Sequence, residues 1–509
     1  MERKWWTLTV VCIAIFMLLL DITVVNVALP EIQRDLKADF SHLQWVVDAY
    51  ALTLAALLLT AGSLADRYGR RLIFAGGLVM FVAASLLCGF ATSPTMLDLA
   101  RGLQGIGGAA MFATSLALLA QEFEGKERAT AFAVWGATTG LAVAIGPLVG
   151  GALVDGIGWE WIFFVNVPIG ALCLWITMTK VRETSDPSQG GVDLPGVITF
   201  SVALFCLVFA LIRGNSEGWG SGVIVGLLIA SVGFFMAFVG FERRVPNPMF
   251  DLQLFRKPTF TGASIVAFAL SASMFAMFLY VTLYMQNVLG YSAFETGLRF
   301  LPLSLLSFFA AAISGRLSER VPVRYLMAGG LLSVAFGLLL MHGIEIDSEW
   351  TTLLAGFIFA GVGIGLVNPP LASTAIGVVR AQQSGMASGI NTTFRQVGIA
   401  TGIAALGAIF QARVESKLLE VAPPQFSGRA DQLAEGIASG GSKQAIAQAP
   451  PGARGQITDA ANQAFISGFN TILLVGVAIA IAGAISALVL VRRRDFVAAP
   501  QAEGAPAAA

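Results

Sequence analysis

The chain has 509 residues, of which 56% are hydrophobic and only 12% charged, and its mean hydropathy is +0.78. A soluble protein of this length would need far more charge to cover its core, so the composition predicts a membrane protein. The formal net charge is zero, which argues against a nucleic-acid partner. All four cysteines fall in apolar runs, so neither a disulfide framework nor a zinc cluster is expected.

Fourteen apolar stretches are long enough to cross the roughly 30 Å of hydrocarbon in a bilayer. They are residues 9–30, 44–64, 72–91, 95–120, 130–153, 161–179, 195–212, 221–241, 260–284, 296–314, 324–342, 351–373, 386–411 and 466–491. An even number puts both termini on one side. With cytoplasmic termini, the short external loops hold only Arg34, Lys37 and Arg213, so the positive-inside rule favours this orientation in the cytoplasmic membrane.

The first predicted helix contains a carboxylate, Asp21, between uncharged residues 5–20 and 22–30. An ionised Asp near the middle of a membrane helix costs about 2.5 to 3.5 kcal/mol on insertion scales. Asp21 is therefore expected to face a polar cavity or a partner. Burial also penalises the charged form of a carboxyl group, which makes proton uptake near neutral pH possible.

Arg101 is a second intramembrane charge, in predicted helix 4. Arginine does not lose its proton in proteins, so it must find a carboxylate, a carbonyl or water. One hypothesis places Arg101 near Asp21 or Asp48 across a cavity. The alternative is a local pair with Asp98, three residues earlier. Asp48 lies close to the external end of predicted helix 2, so a solvated interfacial carboxylate is an open alternative for it.

The segment GSLADRYGRR (62–71) follows predicted helix 2. Gly62 and Gly69 allow close backbone approach and a tight turn. Asp66 can face the N-terminus of a neighbouring helix, where a carboxylate is favoured. Three arginines hold the loop inside the cell: Arg67, Arg70 and Arg71. A basic loop that only sets topology is the ordinary explanation, but the spacing favours a gating latch between bundles.

Predicted helix 5 carries small residues at four-residue spacing, Ala142, Gly146 and Gly150, which lets another helix approach closely. Pro147 removes one helix hydrogen bond and favours a bend. Kinked, closely packed helices are common in membranes. Next to the other motifs, Gly146 and Pro147 indicate a pivot.

Residues 315–324 (GRLSERVPVR) repeat the small, acidic and basic spacing of residues 62–71. The repeat predicts two homologous six-helix bundles with helices 7 and 8 inserted between them, and a substrate site near the membrane midplane where the bundles meet. The predicted divisions are residues 1–185 for the first bundle, 186–245 for the inserted helices, 246–495 for the second bundle with an external loop at 412–465, and 496–509 for a disordered cytoplasmic tail.

The second bundle has few charges within its helices. Glu295 and Arg299 are four residues apart, which favours a local ion pair. Arg395, well inside predicted helix 13, has no partner nearby in the sequence. We expect it to meet a helix terminus or a carboxylate across the bundle interface.

On these motifs the chain resembles the major facilitator superfamily, in particular its 14-helix drug/proton antiporter family, over roughly residues 5 to 495. The motifs that carry the resemblance are LDITVVNVALP (20–30), GSLADRYGRR (62–71), Arg101 with Gly102, Gln104 and Gly105, Gly146–Gly151, WEWIFFVNVPIG (159–170), PMFDLQLF (248–255), YMQNVLGYSAFETG (284–297) and GMASGINTTFRQVG (385–398). Two positions depart from the family pattern, Ala142 in place of glycine and Glu160 in place of the usual arginine.

The resemblance implies that Asp21 binds protons and responds to cations, and that Arg101 takes part in energy coupling. It further implies that Asp66 and the loop arginines control the conformational change, while Gly146 and Pro147 shape the exporter helix. We expect no cofactor, with the proton gradient as energy source, and a monomer surrounded by lipid.

The predicted function is proton-coupled antiport, exporting amphipathic and cationic drugs by alternating access. The residues predicted for proton coupling are Asp21, Arg101 and Asp48, and those predicted to contact substrate are Asp21, Asn26, Trp45, Asp48, Tyr50, Gln104, Trp135 and Tyr284. The aromatic residues offer cation-π contacts, although packing is the commoner role of single membrane aromatics. The alternative is a transporter of one endogenous metabolite, by export or proton symport. An enzyme is not expected, because there are two histidines, no Walker loop and no nucleophile elbow.

Overall fold

The structure, a computed structural model, describes residues 2–38, 40–184, 193–245, 250–379, 383–421, 434, 437 and 454–496. Within these ranges it is helical and contains no strand. The fourteen long helices are α1 (Arg3–Leu36), α2 (Phe40–Tyr68), α3 (Arg70–Gly89), α4 (Pro94–Glu122), α5 (Gly125–Gly156), α6 (Trp161–Lys180, interrupted at Val165), α7 (Leu194–Glu217), α8 (Gly222–Glu242), α9 (Pro258–Leu283), α10 (Ala293–Leu317), α11 (Val323–Leu340), α12 (Leu354–Gly377), α13 (Ser384–Val421) and α14 (Arg454–Leu490).

Thirteen of these helices are long and apolar enough to cross a membrane. The remaining one, α5, has 32 residues and carries no charge between residues 129 and 154. The described chain is therefore consistent with the fourteen predicted spans.

The predicted boundaries of the last two spans were too short. Helix α13 continues to Val421 and α14 begins at Arg454, so both extend into the predicted external loop 412–465. The extension of α13 is explained by Val414 and Leu418, which are four residues apart on one helix face and fully buried. Residues 422–433 and 438–453 and the predicted tail beyond residue 496 lie outside the described part.

Two buried cores organise the chain. Helices α1–α6 form one core, which Ala372 and Ile376 of α12 also join, and α9–α14 form the other. Helices α7 and α8 pack on each other, and α7 packs against α2 and α13. The predicted fold class, two six-helix bundles with two inserted helices, is thus confirmed. Apolar side chains of α8 such as Ile229 and Met236 are exposed, as expected for a lipid-facing surface.

The two bundles touch along both ends of their interface. Helix α5 packs against α10, where Gly151 approaches Phe294 and Gly140 approaches Ser307. Helix α2 packs against α13, where Gly389 lies against Leu59. These close approaches place the motif helix α5 and the helix before the motif loop, α2, directly on the opposite bundle.

The predicted ion pair between Glu295 and Arg299 was wrong. Glu295 is the third residue of α10, and its carboxylate accepts from the backbone N–H of Ser292 in a capping box. Arg299 instead donates to the carbonyl of Glu295 at 2.9 Å and stacks over the Tyr291 ring at 3.5 Å. The helix N-terminus, with its unpaired N–H groups, competes for the carboxylate more effectively than a flexible side chain.

Adjacent glycines of α3 give a matched test of the packing. A side chain at Gly77 would begin 2.8 Å from the Cβ of Ala110 and 2.9 Å from the carbonyl oxygen of Gly107, whereas nothing lies within 4 Å of one at Gly76. We expect Gly77→Leu to lower the free energy of unfolding by about 1 to 3 kcal/mol through overpacking. Gly76→Leu should have little effect. Thermal unfolding of both variants in detergent measures the difference, and equal losses would contradict the packing described here.

Candidate functional site

A buried ion pair joins α1 and α4 in the first bundle. Nη1 of Arg101 lies 2.5 Å from Oδ2 of Asp21, and each side chain is only 1% exposed. The two residues are 80 positions apart in the chain, so the pair forms only when the helices pack. In a low-dielectric interior such a pair stabilises both charges only if the remaining donors and acceptors are also satisfied.

Neighbouring groups complete the coordination of both charges. Oδ1 of Asp21 accepts from Nε2 of Gln104 at 2.9 Å and from Nδ2 of Asn166 at 3.0 Å. Arg101 donates to Oε1 of Gln104 at 2.7 Å and to the carbonyl of Val46 at 2.9 Å. Gln104 therefore bridges the acid and the base, and its two functional groups fix the direction in which each charge points.

An aromatic ring covers the arginine. The guanidinium of Arg101 lies 4.3 Å from the centroid of the Tyr50 ring, a cation-π contact in a desolvated site. Gly105 permits this approach of α2 to α4, because a side chain there would overlap the carbonyl of Tyr50. The Tyr50 hydroxyl is buried and has no hydrogen-bond partner in the described structure.

The alternative local pairing of Asp98 with Arg101 does not occur. Oδ2 of Asp98 instead lies 2.6 Å from Nδ1 of His42, near the start of α2. Arg101 points away from that end of α4 into the bundle core, where Asp21 and Gln104 receive it.

Sequence reasoning missed two residues of this network. Nδ2 of Asn166 lies 3.0 Å from Oγ of Ser85, which donates to the carbonyl of Phe163 at 2.9 Å. Asn166 was visible as an amide inside the apolar motif 159–170, and an amide buried without hydrogen bonds is costly. That cost was a sufficient signal to search for its partner. Ser85 gave no comparable signal, because serine occurs widely in membrane helices.

The motif loop connects the two bundles through Asp66. Its Oδ1 accepts from Nε and Nη2 of Arg70 at 3.0 and 2.9 Å, and its Oδ2 accepts from the backbone N–H of Met386 at 2.9 Å. Met386 is the third residue of α13, so its N–H is one of the unpaired donors of that helix N-terminus. Asp66 thus holds a helix of the second bundle while Arg70 holds Asp66.

Gly69 is required by its backbone and by its surroundings. Its φ is +119°, a conformation that favours glycine, and a side chain there would meet the Glu183 carboxylate. That carboxylate accepts from the N–H groups of Arg71 and Leu72 at 3.0 Å each, at the start of α3. Glu183 was not predicted. The other loop residues, Gly62 and Arg67, lie in the last turns of α2, with Arg67 over the Tyr68 ring.

Helix α5 packs against α1 next to the ion pair. A side chain at Gly146 would overlap Thr23, two residues from Asp21, so this glycine permits close contact between the helices. Helix α5 runs without interruption through Pro147, whose side chain lies outside the described part. The pivot role of Gly146 and Pro147 stays a prediction.

Asp48 and Trp45 face the inserted helix α7 instead of Asp21. The Trp45 ring stacks on Phe209 at 5.4 Å and lies 5.7 Å from the guanidinium of Arg213. Asp48 is half-buried and within electrostatic reach of the same arginine. Their roles in coupling and substrate contact stay predictions.

The remaining predicted substrate residues are dispersed. Trp135 is buried in α5 against Phe112. Tyr284 lies inside the second bundle, where its ring stacks on Phe469 and its hydroxyl donates to the carbonyl of Ser348, so packing accounts for it. Asn26 belongs to α1, but its side chain lies outside the described part.

The expectation for Arg395 was wrong. Its Nη1 donates to Oδ1 of Asn368 at 3.0 Å, an amide on α12 of the same bundle, and not to a carboxylate across the interface or to a helix terminus. The sequence could not indicate this partner, since the contact depends on how α12 and α13 face each other.

The fold and this charged site define a membrane transporter built from two helix bundles. The chain belongs to the Major Facilitator Superfamily, whose family model matches residues 11–403, and the predicted family is confirmed. Multidrug resistance protein Stp of Mycobacterium tuberculosis (strain CDC 1551 / Oshkosh) is 39% identical over 81% of this chain and 77% of its own length. The Tetracenomycin C resistance and export protein of Streptomyces glaucescens is 32% identical over 99% of this chain and 95% of its own length.

The fold is also that of the human organic anion transporter MFSD10 (TETRAN), whose crystal structure matches with a TM-score of 0.62 at 14% identity. The match covers 94% of this chain and all of that one. At this identity the likeness shows the fold alone. The protein is thus a multi-pass membrane transporter whose bacterial relatives are multidrug and antibiotic resistance proteins.

Removing one partner of the buried pair should cost more stability than removing both. Asp21→Asn leaves the charge of Arg101 without a partner, and Arg101→Gln leaves the charge of Asp21 without one. Each change should lower the free energy of unfolding by about 3 to 5 kcal/mol. The double variant leaves two neutral amides and should recover most of the loss. A double-mutant cycle of thermal unfolding in detergent measures the coupling. Additive losses would contradict the pairing.

Proposed function

We propose that the protein is a proton-coupled antiporter that exports amphipathic compounds by alternating access. The observation that carries the proposal is the carboxylate of Asp21, held in the first bundle by an arginine on another helix and almost fully buried. A buried carboxylate whose charge is balanced by one partner has two states, paired when ionised and released when protonated. Such a group links proton uptake to helix movement.

The link from the proton to the bundles runs through α1 and α5. Protonation of Asp21 removes the attraction that holds Arg101 against α1, so α1 and α4 are free to shift. Thr23 on α1 packs directly on Gly146 of α5, and α5 lies against α10 of the second bundle. A displacement of α1 is therefore transmitted to the interface that must open and close.

The contact of Asp66 with α13 acts as the latch, and it lies near the C-terminal end of α2. It joins α2 to the N-terminus of α13 through one hydrogen bond and is oriented by Arg70. Breaking this contact separates the bundles at the motif-loop end. We propose that this end is cytoplasmic, that both termini lie there, that the protein acts as a monomer in the cytoplasmic membrane, and that the proton gradient supplies the energy.

In this mechanism a cationic substrate can reach the Asp21 carboxylate only in the state in which the Asp21–Arg101 pair is open. Arg101 already occupies the Asp21 carboxylate, so a lipophilic cation must compete with it after the pair has opened. Proton and cation would then use the same carboxylate in turn, as the family resemblance implies.

Proteoliposomes containing purified protein test the proposal directly. With an imposed pH gradient, we expect ethidium to move against its own gradient while a proton dye reports coupled proton flow. Asp21→Asn should still insert in the membrane but abolish gradient-driven accumulation, because no proton is exchanged. Glu31→Gln, at a half-buried carboxylate of the same helix that is paired with Arg34 at the surface, is the control.

Gradient-driven ethidium movement that persists in Asp21→Asn would reject the coupling role of Asp21. If no tested drug moves in the wild-type protein while one endogenous metabolite does, the narrower metabolite transporter replaces the drug exporter.

The latch makes a separate kinetic prediction. Asp66→Asn should slow turnover several-fold with near-normal substrate affinity, because it weakens one conformational contact and leaves the binding residues intact. Glu319→Gln, at the corresponding position of the repeated segment and exposed, should have little effect. Rates and affinities are compared in proteoliposomes and in detergent, respectively. A large loss of affinity in Asp66→Asn would be inconsistent with a latch.

A further inference from the structure

Arg395 lies about three helical turns inside α13, near a helix of the other bundle. It is eleven residues beyond Ser384, the first residue of α13, which is about 16 Å along the helix at 1.5 Å per residue. Half the thickness of the hydrocarbon core is about 15 Å. Its partner Asn368 contacts Gly136 of α5, on the other bundle. With Ser384 at the membrane surface, Arg395 would lie close to the midplane, and its partner Asn368 places it close to the bundle interface.

The charge of Arg395 is not neutralised in the described structure. One hydrogen bond, to the neutral amide of Asn368, occupies Nη1, and Nη2 is buried without a partner. Arg395 belongs to none of the ion pairs among the described residues, and its side chain is half-buried. Arg101, by contrast, has a carboxylate, an amide and a carbonyl. A half-buried membrane arginine with a buried, unpaired Nη2 favours a ligand that brings a negative charge.

A further unpaired donor accompanies Arg395. Asn391, one helical turn earlier on the same face of α13, is 2% exposed, and its Nδ2 has no partner in the described chain. An arginine and an amide on one face of α13 therefore contribute unused N–H groups. Buried donors without partners are rare, and they favour a ligand that brings acceptors.

We propose that Arg395 is the docking residue for an anionic group, a carboxylate or sulfonate, on an amphipathic substrate. This inference rests on the proposed export function and narrows its substrate class. The Asp21 carboxylate is already committed to Arg101. An acidic substrate would balance the charge of Arg395 without breaking that pair.

Two rhodamine dyes with a common ring system and opposite charge test the inference. Sulforhodamine B is anionic and rhodamine 6G is cationic, and the fluorescence of both is insensitive to pH. We expect wild-type proteoliposomes to move sulforhodamine B when a pH gradient is imposed. Arg395→Gln should lower its rate about tenfold or more, the scale of a lost charge-assisted hydrogen bond, and should leave rhodamine 6G movement within about twofold of the wild-type rate.

Two further variants separate charge from structure. Arg395→Lys keeps the charge but loses the planar fork, so its sulforhodamine B rate should fall between those of wild type and Arg395→Gln. Arg413→Gln, at an exposed position of the same helix, should behave as wild type. Saturable binding of each dye in detergent, followed by fluorescence anisotropy, measures the site independently of transport.

The outcomes distinguish the two proposals. If rhodamine 6G moves but sulforhodamine B neither moves nor binds, the anion inference is overturned and the export function stands. If sulforhodamine B binds in an Arg395-dependent way but neither dye is driven by the gradient, the site is supported and proton coupling fails. Equal loss of both dyes in Arg395→Gln would also overturn the inference, because Arg395 would then serve the transport cycle in general.

Discussion

The buried pair of Asp21 and Arg101 is the constraint on which the first bundle depends. Each charge would be costly in a membrane interior by itself, so α1 and α4 must pack in the one register that brings the two side chains to 2.5 Å. Gln104 and Asn166 then fix the carboxylate from α4 and α6. In the proposed mechanism, the interaction that stabilises the bundle is also the one that protonation of Asp21 would break.

Close helix approach converts that local event into a change at the bundle interface. Glycines at helix crossings leave no side chain to absorb a shift, so Thr23 meets the backbone of α5 at Gly146 and Ser307 meets it at Gly140. Packed contacts of this kind change between discrete arrangements and do not deform gradually. Asp66 holds the C-terminal end of α2 to α13, so the proposed proton site and the proposed latch both contact α2.

The sequence was most informative where a residue type was energetically out of place. Asp21 and Arg101 required partners by their charge alone. The structure then decided between Asp21 and Asp98 as the partner of Arg101, because it shows the direction in which Arg101 points. The fold followed from span length and the repeat at 62–71 and 315–324. What could not be predicted is which helix faces which: the Asn368 partner of Arg395 and the Glu183 cap on α3 are contacts between distant segments, and no linear spacing encodes them.

Arg101 in the first bundle and Arg395 in the second differ in how far their charges are neutralised. Arg101 is paired within its own bundle, so its charge is neutralised in the state described here. Arg395 receives one neutral hydrogen bond, so its charge is available in the state described here. The first bundle therefore carries the charge that a proton would change, and the second carries the charge that an acidic substrate would balance.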